Sequence, residues 1–326
     1  MNTLSLTISS PSGRDVWPDT SLTPSLDLVF SRGARKLRRN TSLIDSWMEQ
    51  LFPHQKDEIA ISTLLARGDP DFSVYPHYLC CELVDYSAGM NDVFVKRLQN
   101  LSSAAIDNGR YNNLLTASFD GLLTRNVSEW PSLLLIGLQE DPKIGSTPAT
   151  EAHNRPMSTV LPTGPQSRHW IAKMNEIQML FHQSNENTPD DREHVKPNGV
   201  WLWGEGPRRE LQDSSLLVSA QSPELIALSR AANATMTSVD QILSEGSPQN
   251  NALIDIHINE DSNTIVAANE LVSKGMALLK SGLYTQLNVQ LMQNSIVLDT
   301  SCTKYSLHKF WVKTGKTIDW VRDACS

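Results

Sequence analysis

Apolar and polar residues alternate from the start of the chain. Leu4, Leu6 and Ile8 are separated by Ser5, Thr7 and Ser9, the period-two pattern of a strand with one buried face. Short helices are predicted over 42–51 and 57–67, closed by Pro53 and Gly68. A strand-rich passage follows over 72–84. The run 91–105 reads as a helix with Val93, Phe94, Leu98 and Leu101 turned inward, and 119–124 and 133–138 read as strands. Between 139 and 165 the composition shifts to Pro, Thr, Gly and Asn, which predicts a long loop.

The second half is more regular. Trp170, Met174, Ile177 and Phe181 recur at 4-3-4 spacing and predict a helix over 167–184 with one apolar stripe. A strand over 200–203 ends in Gly204-Glu205-Gly206. A strand over 215–220 runs into a helix that starts with Ser222 as N-cap and Pro223 at its first position. A strand over 253–258 precedes a helix over 263–280. Two strands, 286–292 and 295–299, form a hairpin around Gln293-Asn294, and a closing helix covers 305–311. Strands alternating with helices predict an α/β fold with a mixed, mostly parallel sheet flanked by helices. The less regular N-terminal region reads as α+β. The expected organisation is a region over 1–155 and a second over 156–326, or one compact unit.

Charge and length narrow the function. With 36 acids against 28 bases in 326 residues, the net charge of −8 argues against a general nucleic-acid binder. The exception is 32–39, where Arg32, Arg35, Lys36, Arg38 and Arg39 make a dense basic cluster, read as a solvated helix end or an anion site. No apolar run approaches the ~20 residues of a spanning helix, and the N-terminus lacks the charged start and apolar core of a secretory signal. Cys80, Cys81, Cys302 and Cys325 fit neither a C-x-x-C metal pattern nor a disulfide scaffold. Free thiols in a cytoplasmic protein are expected.

Three constellations can carry chemistry. On the helix over 167–184, Asn175, Gln178 and His182 share a stripe beside the apolar face. They orient a ligand or, alternatively, fix how the helix docks. In Trp201-Leu202-Trp203-Gly204-Glu205-Gly206 the glycines serve either a ligand's close approach or a tight turn, and no following G-x-x-G supports a dinucleotide site. On the strand over 253–258, Asp255 and His257 share a face, with Glu260 and Asp261 just beyond. A metal, a proton shuttle or a local ion pair would each use that pattern. H-E-x-x-H, G-x-S-x-G and P-loop motifs are missing.

Several segments together resemble the RpfE-type regulatory proteins, a bacterial family itself similar to the cofactor-independent phosphoglycerate mutases of the alkaline-phosphatase-like superfamily. The resemblance is densest between 156 and 206. It rests on Leu161-Pro162-Thr163-Gly164, Trp170, Asn175-Glu176-Ile177-Gln178-Met179-Leu180-Phe181-His182 and Asn198-Gly199-Val200-Trp201-Leu202-Trp203-Gly204-Glu205-Gly206. Sparser matches are Leu64-Leu65-Ala66, Gly68-Asp69, Pro76-His77-Tyr78-Leu79 and Lys309-Phe310-Trp311. Two positions depart from the pattern: Tyr78 stands where the family has histidine, and Glu205 where it has glycine.

The resemblance implies a mutase-like sheet without the mutase reaction. Active mutases hold two divalent metals with aspartates and histidines and carry a serine nucleophile near the N-terminus. Here Ser9-Ser10-Pro11-Ser12 has no Asp-Gly before it, and Asp261 is followed by Ser262-Asn263-Thr264 rather than glycine-histidine. The expectation is a cytoplasmic, non-catalytic regulatory or binding protein without a cofactor. Its ligand pocket is expected at Asn175, Gln178, His182, Trp203 and Glu205, its partner being a protein or small molecule. A third reading, a subunit that works through its partner, makes Trp311 and Trp320 the anchors. The alternative is a metal-dependent phosphoester hydrolase or mutase that binds metal through Asp255, His257 and Asp261.

Overall fold

The computed structural model describes residues 2–10, 23–39, 41–53, 55, 59–98, 108–119, 122–186, 195–245, 251–258, 261–293, 296–309 and 314–316. The first elements are β1 (Thr3–Ser10), α1 (Pro24–Arg32), β2 (Ala34–Arg39), α2 (Leu43–Leu51), α3 (Ile61–Leu65), β3 (His77–Ala88) and β4 (Val93–Arg97). Next come α4 (Asn108–Ser118), β5 (Thr124–Val127), β6 (Trp130–Leu138), α5 (Ala149–Ala152), α6 (Ser167–Glu186) and β7 (Gly199–Pro207). The chain continues through β8 (Leu217–Ser219), α7 (Pro223–Ala231), β9 (Thr235–Met236), α8 (Val239–Glu245) and β10 (Ala252–His257). It closes with α9 (Ser262–Ser281), β11 (Gln286–Gln293) and β12 (Ile296–Thr303). Among the described residues no helix is long and apolar enough to cross a membrane.

Two compact units result, and they are interleaved in sequence. The first comprises Met1–Pro53, Asp213–Leu225 and Asn233–Ser326, the second His54–Gln212 and Ile226–Ala232. The chain therefore does not divide near 155. The reason lies in β1, whose two neighbours are the distant strands β10 and β11, so the N-terminus belongs with the C-terminal half.

The first unit is built on a seven-stranded sheet, β2-β12-β11-β1-β10-β8-β9. Five neighbouring strands, β11 to β9, run parallel, while β12 pairs antiparallel with β11 and with β2. This is the mixed, mostly parallel sheet that the alternation predicts. One face of β1 presents Leu4, Leu6 and Ile8, all fully buried, in a core with Leu26, Val29 and Phe30 of α1 and Ala268, Val272 and Leu279 of α9. The opposite face is also covered, which the alternation does not foresee: Ser5, Thr7 and Ser9 are buried. There the Gln290 side-chain carbonyl accepts from Thr7 Oγ1 at 3.2 Å, Ser46 Oγ at 2.9 Å and Gln50 Nε2 at 3.0 Å, so α2 meets the sheet through satisfied polar groups. Ser42 caps α2 in a reciprocal box with Asp45. Of the basic cluster only Arg32 ends a helix, α1, and the other four residues lie beyond it. Arg35, Lys36, Arg38 and Arg39 lie on β2 at the sheet edge, where charged side chains oppose edge-to-edge pairing, and Arg38 is bound by Asp299 and Glu49.

The second unit holds a five-stranded antiparallel sheet, β4-β3-β6-β5, with β7 pairing along the other edge of β3. Residues 93–97, read as part of a helix, form β4 instead. Val93 and Val95 suit an extended chain, and Gly89 N donates to Asp92 O at 2.8 Å to close the β3–β4 hairpin. The strand expected over 119–124 lies later, as β5, and α4 precedes it. Only 305–309 of the expected closing helix is described, and it forms a single 3-10 turn over Ser306–His308.

Candidate functional site

Parallel pairing aligns Thr7 with Asp255 and Ser9 with His257, which places these side chains on one face at the C-terminal ends of β1 and β10. Ser9 Oγ lies 3.0 Å from His257 Nδ1. His257 Nε2 lies 3.4 Å from Asp255 Oδ2. From beyond the end of β8, the backbone amides of Gln221 and Ser222 donate to the same Oδ2 at 3.3 and 3.4 Å. Strand ends of an open parallel sheet are where such folds place their ligands.

Asp255 is fully buried, while the His257 side chain keeps 26% exposure. Burial pushes the Asp255 carboxyl above its ordinary value, opposed by the His257 charge and the two amides, with Glu224 adding to the rise. Two atoms of the cluster, Asp255 Oδ1 and His257 Nε2, are buried without a hydrogen-bond partner. A buried polar atom left unpaired costs about 1–3 kcal/mol, so a ligand group or water that reached them would be held.

A two-metal centre does not fit these residues. Asp255 and His257 supply one carboxylate and one imidazole, Ser9 is a neutral hydroxyl, and the Asp261 carboxylate accepts the Asn263 amide at 2.9 Å as the N-cap of α9. Among the described residues no group of three or more His, Cys, Asp or Glu side chains converges. Glu260, Pro11 and Ser12 lie outside the described residues, as do Trp311 and Trp320.

Of the five pocket residues expected, all in the second unit, three are exposed on α6 and two lie on β7. Asn175, Gln178 and His182 each follow an apolar position of α6 by one residue, about 100° further round, and all three are exposed. His182 Nε2 lies 3.3 Å from Glu186 Oε1, one turn along the same helix. Trp203 is buried against Trp130, ring centroids 6.0 Å apart. Glu205 ties down a loop, accepting from the Ser146 amide at 3.1 Å and from the Ser146 hydroxyl. Nor does the glycine cluster end its strand, since β7 continues to Pro207. Gly204 adopts a left-handed φ of +67° beside a register shift, and a Cβ on Gly206 would fall 2.3 Å from Ala60 Cβ. The close approach is to the residue before α3.

No protein-family model and no curated protein matches the chain. Solved structures do. A cofactor-independent phosphoglycerate mutase from Thermoplasma acidophilum superposes with a TM-score of 0.50 at 15% identity, covering 98% of this chain and 94% of that one. The fold is that of a cofactor-independent phosphoglycerate mutase. The PH0037 protein from Pyrococcus horikoshii also aligns, with a TM-score of 0.49 and 10% identity over 93% of this chain and 87% of its own. At these identities the likeness is one of fold, and residue roles have to come from the site itself.

Sequence reasoning found Asp255 and His257 through their alternation but did not join Ser9 to them, naming it as a polar strand position and within Ser9-Ser10-Pro11-Ser12 only. Ser9 and His257 are 248 residues apart, and strand register alone joins them.

Proposed function

We propose that this mutase-fold protein binds a ligand at the strand-end site and acts in regulation, without metal-bridged phosphoryl transfer. The observation that carries the reading is the make-up of the strand-end cluster, one carboxylate and one imidazole beside a neutral hydroxyl. Asp255 is fully buried, faces His257 and receives two backbone amides, while Asp261 caps a helix. Two bridging metals need several converging anionic ligands, and one buried carboxylate with one imidazole does not supply them. The half-open His257 and the unpaired Asp255 Oδ1 suit a small polar ligand that offers hydrogen bonds. The regulatory part of the reading rests on the RpfE-type resemblance over 156–206.

The test is metal analysis of the purified protein together with p-nitrophenyl phosphate hydrolysis in manganese. No bound transition metal and no metal-stimulated turnover are expected. Manganese-dependent turnover that disappears in Asp255→Asn would overturn the proposal.

One observation favours a second reading, metal-free ester hydrolysis: Ser9, His257 and Asp255 lie in series, the order in which a base and its carboxylate activate a hydroxyl. An active-site fluorophosphonate probe separates the two. The binding reading expects no label on Ser9, and stoichiometric labelling lost in His257→Gln favours hydrolysis.

A further inference from the structure

Within the second unit, β4 pairs with β3 along one edge. Its outer edge is covered by the segment that leaves α5. The Asn154 amide donates to Val95 O at 2.7 Å, the Val95 amide donates to Arg155 O at 3.3 Å, and Phe94 bridges to Pro156. Asn154 takes a left-handed φ of +58° to make this turn. The next outward donor, two residues along the strand, is the Arg97 amide. It is met by a side chain: His153 Nδ1 accepts from it at 3.0 Å.

A backbone amide can only donate, so this nitrogen carries no proton and the ring is neutral, with its proton on Nε2. Nε2 lies 3.1 Å from the Asn154 side-chain amide, within the same turn. Protonation would put an N–H on both ring nitrogens and set two donors against each other at Nδ1. The charged surroundings add to that penalty. Arg97 and Lys96 come from β4, while Arg155 and, on α5, Glu151 each stand two residues from His153 along the chain. The acids of the neighbouring strands are engaged: Glu82 of β3 holds Arg97 Nε at 2.7 Å, Asp85 of β3 accepts from Asn198, and Glu205 of β7 accepts from Ser146. Burial, with the charges of Arg97 and Lys96, holds the imidazole below its ordinary 6.5.

We propose that His153 is an acid-sensitive latch: its neutral ring holds the 153–156 segment along β4, and its protonation releases the segment and uncovers the outer edge of the strand. The folded protein disfavours the protonated ring, so the latch is fully held above the unfolded value and weakens as pH falls below it. An uncovered edge presents N–H and C=O groups on which a strand of another chain can pair. The latch shares no residue with the strand-end cluster, so the two proposals stand or fall separately.

The test is hydrogen–deuterium exchange of the full chain at pH 7.5 and at pH 5.5, with rates corrected for the intrinsic pH dependence of exchange. Protection over 93–97 and 149–156 is expected to fall about fivefold or more at the lower pH, while β6 keeps its protection. His153→Asn retains an acceptor at the Nδ1 position and has no proton to gain, so its protection is expected to stay level. Should that variant fail to fold, NMR of wild type carries the test: the His153 ring and the Arg97 amide are expected to shift with one midpoint, below 6.5. Level protection in wild type overturns the proposal, as does an equal acid loss in His153→Asn, or a His153 titration that leaves the Arg97 amide unmoved.

Discussion

Asp255 is the residue on which the functional reading turns, and its environment has a consequence for pH. Its carboxyl is raised above the ordinary 3.8 by burial, so the folded protein holds this proton more tightly than the unfolded chain does. For such a group the stabilising contribution is complete below the unfolded value and is lost as pH rises through the folded one. Asp255→Asn has no proton to lose. Its stability relative to wild type is therefore expected to improve as pH rises above 3.8, measured by urea unfolding at stepped pH, and a relative decline over that range would count against a buried carboxylate. Cysteine reactivity follows the same logic. Burial pushes the thiols of Cys80, Cys81 and Cys302 up, and all three are inaccessible. An alkylating reagent at pH 8 is expected to modify none of them until the protein unfolds, and rapid native-state labelling of any one would contradict their placement.

At the scale of elements, the hydrophobic pattern reaches furthest where one face is apolar and capping residues mark the ends. The alternation in β1, the stripe of α6 and the Ser42 start of α2 were all legible. A truncation in the β1 face tests the core they define: Leu6→Ala is expected to cost about 2–5 kcal/mol in chemical denaturation, because Leu6 is fully buried between α1 and α9. The cap is worth less, and Ser42→Ala is expected to cost about 1 kcal/mol. A loss under a few tenths of a kcal/mol for Leu6→Ala would show that the sheet is not packed as described. Where tertiary pairing decides, the pattern misleads. Val93 and Phe94 fit a helix face as readily as a strand, and what selects the strand is the partner β3 rather than anything in 91–105. Gly204-Glu205-Gly206 resembles a strand terminus, yet pairing with β3 carries the strand through it. The site was half legible for the same reason. Asp255 and His257 lie two residues apart on one strand, whereas Ser9 joins them through the β1–β10 register and Gln221 and Ser222 join through backbone amides that no side-chain motif reports.

Across the whole molecule, the mutase fold persists although the strand ends do not carry the ligands of a two-metal centre among the described residues. The sheet needs only its apolar face and parallel register, both supplied by Leu4, Leu6, Ile8 and their partners, so the fold by itself assigns no chemistry. The most direct measurement is phosphorus NMR of 3-phosphoglycerate incubated with the purified protein and manganese. The account predicts no 2-phosphoglycerate and no free phosphate above the protein-free control. Appearance of either product at a rate proportional to protein concentration, and its loss in Asp255→Asn, would contradict it.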